Sequence, residues 1–184
     1  MRFCLPLTAL ALTCPLWAAP VPMREDYQKK ADEAPWEWSD GRASAADSAK
    51  RLKGDYKAEV EPRGTSGGAV LRIVKDGAVV HFFEGHTRTV FAVRDDVLYY
   101  AVYHTSSSGC AVVAFDLRQK KQLWRTYLKG LVERRPHSAY RNAVLLDLDG
   151  QAVCVHGKEA FGNYIEFVDR KTGKTVGHRV YPRE

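Results

Sequence analysis

Nowhere beyond its first twenty residues does this chain approach the ~18 consecutive apolar residues that a membrane-crossing helix needs, so the sequence predicts no membrane span. The one mostly apolar stretch, Phe3 to Trp17, is short and broken by Pro6 and Pro15. It follows Met1-Arg2 and ends at Ala18-Ala19, which is the pattern of a secretory leader. Residues 1–18 are therefore expected to be removed and the mature chain to be exported, to a periplasm or the cell exterior. Cysteine is scarce as well: of four, Cys4 and Cys14 fall in the leader, leaving Cys110 and Cys154. No Cys-x-x-Cys pair exists to build a structural zinc knuckle. Two cysteines in an oxidising compartment are open to a disulfide, and both sit at or within apolar strand patterns that suit buried thiols equally.

Charge of one sign is missing too. Lys and Arg number 28 against 22 Asp and Glu, a balance of +6 that falls to +5 when Arg2 leaves with the leader. The signs are interspersed, which argues against a nucleic-acid footprint. The densest basic runs, Arg118-Gln119-Lys120-Lys121, Arg134-Arg135 and Arg170-Lys171, fall in expected turns and loops, where such residues are usually solvated. Clustered chemistry is equally absent. The six histidines are spread out, and the Thr105 to Gly109 loop lacks the strand-to-helix context of a nucleophile elbow. His104 and His156, near the ends of corresponding strands, are the candidate surface site, with half-buried hydrogen bonding as the simpler role. No cofactor is expected.

What is present is alternation. Residues 19–54 read as a polar arm with one short helix between Ala43 and Leu52, and with Trp36 and Trp38 as anchors onto the domain. After Gly54, short runs of Val, Ile, Tyr, Phe and Leu separated by turn residues predict eleven antiparallel strands, making 55–184 one β domain. They are Tyr56–Glu61, Ala69–Val74, Ala78–Phe83, Thr89–Arg94, Val97–His104, Cys110–Asp116, Gln122–Leu128, Ala143–Leu148, Gln151–His156, Tyr164–Asp169 and Thr175–Tyr181. Asp76-Gly77, Asp95-Asp96 and Asp149-Gly150 are the tight turns, since Asp and Gly tolerate positive φ. In Tyr99, Tyr100 and Tyr103, the first and last share a face and are expected to pack in the core.

Two stretches superimpose without gaps at the distance from Asp116 to Asp169: Ala114 to Trp124 and Phe167 to Gly177. In each, an apolar strand ends in Asp and a turn leads into the next strand, so a four-stranded unit is duplicated. These residues resemble the pyrroloquinoline-quinone-type β-propeller repeat, whose blades carry Ala-x-Asp-x-x-Thr-Gly-Lys-x-x-Trp between their last two strands. The first copy has Ala114, Asp116, Lys121 and Trp124; the second has Asp169, Thr172, Gly173 and Lys174. Gly85-His86 ahead of Phe115-Asp116 follows the order of a WD-type repeat, but the spacing from Ala114 to Trp124 favours the quinone type. The resemblance implies an all-β fold of antiparallel, four-stranded, propeller-like blades. It implies no quinone chemistry, because the adjacent cysteines and calcium ligands of those enzymes have no counterparts here.

Eleven strands fall short of three blades, while closed rings use four to eight. The open edges are expected to be covered by a compact arrangement of the hairpins or by the N-terminal arm, with self-association into a homo-oligomeric ring as the alternative. Function is read as non-enzymatic binding or scaffolding for a protein or cell-envelope polymer. The competing reading is a hydrolase of envelope material that uses His104 or His156 with nearby carboxylates.

Overall fold

A computed structural model describes residues 23–34, 44–102, 110–131, 142–159 and 161–182. The expected leader, Trp36, Trp38, Tyr103, His104, the Thr105 to Gly109 loop, Arg134-Arg135 and His137 lie outside the described residues. Helix α1 spans Met23–Glu33 and α2 spans Ala45–Lys50. Eleven strands follow: β1 Tyr56–Arg63, β2 Gly68–Lys75, β3 Ala78–His86, β4 Phe91–Arg94, β5 Val97–Val102, β6 Ala111–Asp116, β7 Lys121–Tyr127, β8 Asn142–Asp149, β9 Ala152–Glu159, β10 Gly162–Asp169 and β11 Thr175–Pro182. The fold is all-β and antiparallel, as the alternating pattern predicts.

The strands form three meanders: sheet one in the order β1-β2-β3, sheet two in the order β4-β5-β6-β7, and sheet three in the order β8-β9-β10-β11. Each tight turn sits where Asp or Gly was read as a turn. Asp76 and Gly77 have φ of 51° and 78°, and Asp95 and Asp96 have 54° and 57°. This is the twist that lets a two-residue connection join right-handed strands.

The sheets stack as layers, each burying one face on the next. Phe91 and Leu98 of sheet two pack with Ala69, Leu71 and Ile73 of sheet one and with Ala45 of α2. On its other side, sheet two buries Tyr99, Val112 and Ala114 with Val153, Val155 and Val168 of sheet three. Sheet three then buries Cys154, Ile165 and Phe167 under Tyr27 and Ala31 of α1. The arm thus supplies a fourth layer. The sequence carries little signal for α1, whose described apolar stripe is Tyr27 and Ala31 in an otherwise charged segment, with Ala34 just past its end. The shorter α2 falls where a helix was expected, with Ser44 as its N-cap accepting from the Asp47 N–H at 2.9 Å.

A register shift recurs in all three layers. It lies between Ile73 and Val74 where β2 pairs with β3, between Ala114 and Phe115 where β6 pairs with β7, and between Phe167 and Val168 where β10 pairs with β11. The residues opposite the last position before each shift are His81, Trp124 and Gly177. Aligned this way, β1-β2-β3 matches β5-β6-β7 and β9-β10-β11, so sheet one has the same register feature but lacks the strand that β4 and β8 supply elsewhere. The side-chain pattern common to the other two turns is absent from sheet one, whose turn is the shorter Asp76-Gly77.

Candidate functional site

The two Asp-bearing turns are built alike. Asp116 Oδ1 accepts from the N–H groups of Arg118 and Gln119 at 2.8 and 2.7 Å. Asp169 Oδ1 accepts from those of Lys171 and Thr172 at 3.0 and 2.5 Å and from Thr172 Oγ1 at 2.7 Å. Lys120 and Gly173 hold equivalent left-handed positions, with φ of 52° and 71°. Lys121 and Lys174 follow them, both exposed. Strand β7, which follows the Asp116 turn, is tied to the Asp169 turn: the Trp124 indole N–H donates to the Arg170 carbonyl at 2.9 Å, and Thr126 Oγ1 donates to the Gly173 carbonyl. Arg170 braces the same junction, donating from Nε to Tyr99 Oη at 3.1 Å and pairing with Asp95 at 2.8 Å. These residues join layers.

The candidate cysteines and histidines separate. Cys110 and Cys154 are free, buried thiols. The disulfide that the cysteine count left open is not formed, because the two lie on opposite sides of sheet three: Cys110 packs between sheets two and three, and Cys154 packs under α1. His156, on β9, contacts Cys154 with Nε2 and Sγ 3.4 Å apart, and Asp147 lies directly across the ladder from Cys154. The ingredients of a thiol nucleophile are therefore close, but their environment works against one. Burial pushes the Cys154 thiol up to about 12 and the His156 imidazole down to about 4. Both stay neutral near pH 7, whereas an activated cysteine needs the thiolate. Among the described residues no group of three or more His, Cys, Asp and Glu is placed to hold a metal ion.

Tyr99 is core, as expected, and Tyr100 turns to the other face and stacks on Phe83 with ring centres 4.3 Å apart. A buried carboxylate went unnoticed in the sequence. Glu166 is fully buried, accepting from the Lys129 N–H at 2.8 Å and from Thr175 Oγ1 at 2.6 Å, and burial raises its pKa. It bonds the end of β7 to sheet three. Tyr164-Ile165-Glu166-Phe167-Val168 is apolar on both sides of the Glu and buried on both faces, which leaves Glu166 no solvent side to turn to.

A cleft formed by the described residues carries no mark in the sequence. About 510 Å³ in volume, it opens where the first edges of the sheets converge: Tyr56 begins β1, the whole of β4 lines one wall, and Leu146 to Leu148 of β8 line another. Residues following α2, Arg51 to Asp55, close a third side. Leu52, Val93 and Leu148 supply apolar surface, with buried Phe91 and Leu146 behind them, while Arg51, Lys53, Asp55, Arg94 and Asp147 stand exposed around it. Two further rim acids are already neutralised. Asp95 pairs with Arg170, and Asp96 takes Tyr56, Lys75 and Arg118, which together hold its carboxyl down to about 2. A second cleft, about 380 Å³, lies between Phe83, His86, Thr89 and Tyr100.

No protein-family model matches the chain, and no curated protein matches it. Among solved structures the chain is similar to the Bacillus megaterium YpeB C-terminal domain, at 12% identity over 78% of this chain and 100% of that one. The TM-score is 0.25, too low for any argument about fold or function to rest on it.

Proposed function

We propose that the chain is an exported, non-enzymatic binding or scaffolding module that seats part of a protein or cell-envelope polymer in the cleft between β1, β4 and β8. The observation that carries this reading is the cleft itself: about 510 Å³, within the usual range for ligand sites, with apolar walls and a rim of exposed charges. Rigid strands hold its walls, so the surface is formed before a partner arrives. Kinship with quinoprotein-type blades belongs to the same proposal, supported by the shared offset of the two Asp turns and by the matching register shifts. The two ends of the stack are finished differently: sheet three is covered by α1, while the outer face of sheet one carries exposed Lys57, Glu59 and Glu61 beside exposed Val79 and Phe82.

The test is capture. Purified protein is immobilised, exposed to envelope extract, and compared with a Lys53→Glu/Arg94→Glu variant; both residues are exposed, so the fold is expected to survive the change. Material retained by the wild type and lost by the variant supports the reading. Equal retention, or none by either protein, counts against it.

A further inference from the structure

Inside the cleft, the outer edge of β4 pairs with no other strand among the described residues. The strand pairs with β5 on its other side. Its connection to β5 is the two-residue turn Asp95-Asp96, so Arg94 and Val97 bond to each other and bonding residues alternate from there. The Ala101 N–H donating to the Val90 carbonyl at 2.9 Å continues that alternation past the start of the strand. Val90, Ala92 and Arg94 therefore direct their backbone groups to β5, and Phe91 and Val93 direct theirs outward. The outward N–H of Phe91 is met by Ser48 Oγ at 3.2 Å, so one α2 side chain stands where a neighbouring strand's carbonyl would be. Helix α2 ends at Lys50, and Arg51, Leu52 and Lys53 lead along the cleft wall. Val93, the next outward position, faces the open cleft.

We infer that the cleft receives an extended peptide that adds to the β4 edge at Val93 and sets one carboxylate among Arg51, Lys53 and Arg94. The inference rests on the binding reading above and narrows it to polypeptide. A strand edge offers N–H and C=O at every second residue, a period that a peptide backbone matches and a glycan chain does not. Charge sets the peptide's character. Arg51, Lys53 and Arg94 make no ion pair among the described residues, whereas Asp95 and Asp96 are already paired. Asp55 and Asp147 on the rim offset those cations in part, so the match is to a single acidic residue in an apolar segment and not to an acidic run.

The probe is a phage-displayed library of linear peptides panned over the purified protein, with recovered sequences synthesised unmodified and with one N-methyl group at each position in turn. Heteronuclear NMR follows the Leu52, Val93 and Leu148 signals, and sheared cell-wall glycan strands serve as a second probe. Bound peptide is expected to shift those signals, to slow exchange of the Val93 amide, and to lose about tenfold in affinity when N-methylated at alternate positions but little at those between. Arg94→Glu is expected to weaken the same peptides. Peptides that bind without alternation, a panning that recovers nothing, or glycan alone moving the cleft signals would overturn strand addition; in the last case the binding reading survives. If neither probe moves those signals, both readings fall.

Discussion

Trp124 and Gly177 hold the same register position on successive sheets, and what each one faces decides which residue it is. Trp124, opposite Ala114, reaches across to the Asp169 turn of the next sheet; Gly177, opposite Phe167, meets the backbone of α1. His81 is the third member, opposite Ile73, and stacks on Phe115 of sheet two with ring centres 3.9 Å apart. A large side chain fills the space between two twisted sheets, and a helix backbone lying directly on the strand leaves space for none.

Gly177→Ala is therefore expected to displace α1. A Cβ there would lie 2.3 Å from the Tyr27 carbonyl oxygen and 2.7 Å from its carbon, both backbone atoms that cannot swing aside. The loss is expected on the order of 2–4 kcal/mol, through overpacking and through exposure of Ile165 and Phe167. Urea unfolding measures the first effect, and tryptic cleavage at Lys29 or Lys30 in the native protein reports the second. An unchanged midpoint with a protected helix would mean that α1 does not dock as described.

The paired turns make opposite expectations for one backbone position. Lys120 is a non-glycine residue at φ 52°, so Lys120→Gly relieves strain and is expected to add about 0.5–1 kcal/mol, less what the looser unfolded chain takes back. Gly173→Ala is expected to cost about 2 kcal/mol or more, since it adds the left-handed penalty to a Cβ 2.8 Å from the Trp124 ring. Both are read from denaturant midpoints. Changes of like sign would break the equivalence of the two turns.

Alternation and turn chemistry made the strands readable, because a half-buried antiparallel strand must place apolar residues at every second position and Asp-Gly or Asp-Asp must supply the positive φ between them. The offset from Asp116 to Asp169 was readable because two turns solved one hydrogen-bonding problem with the same carboxylate. What stayed hidden depends on non-local packing. Helix α1 is held by Tyr27, which donates to the Asp149 carbonyl at 2.7 Å and accepts from the Gln151 N–H at 3.0 Å, contacts more than a hundred residues away in sequence. The cleft is assembled from three strand edges and a helix end, none of which carries a local signature. Sheet one escaped the repeat comparison because its register shift is a property of pairing, not of composition.

Cys110 and Cys154 are expected to remain unreactive in the folded protein. Burial pushes both thiols up to about 12, and they lie on opposite sides of sheet three. A thiol reagent such as dithionitrobenzoate should label neither in the native state and both after unfolding in guanidinium, with no loss of mass indicating a disulfide. Rapid native labelling of Cys154 would show that the contact with His156 activates it, and would revive a nucleophilic reading of that pair.

His156 makes stability fall with acid. Its ordinary value near 6.5 drops to about 4 because burial penalises the imidazolium. Between those values the unfolded chain takes up a proton that the folded chain does not, so stability is highest above about pH 6.5 and declines as pH falls toward about 4. A change of that size converts to at most about 3 kcal/mol. His81, also lowered by burial, contributes with the same sign. Glu166 contributes with the opposite sign: its raised pKa lets the folded state keep a proton that the unfolded carboxyl has released, so its share is complete below about 4.5 and is lost as pH rises. The separation is made by comparing wild type with His156→Gln, which cannot titrate, in urea at about pH 7 and about pH 4.5. Wild type is expected to lose on the order of 2 kcal/mol more than the variant between those conditions. Equal losses would place the imidazole in contact with water, and with it the β9 face that α1 is described as covering.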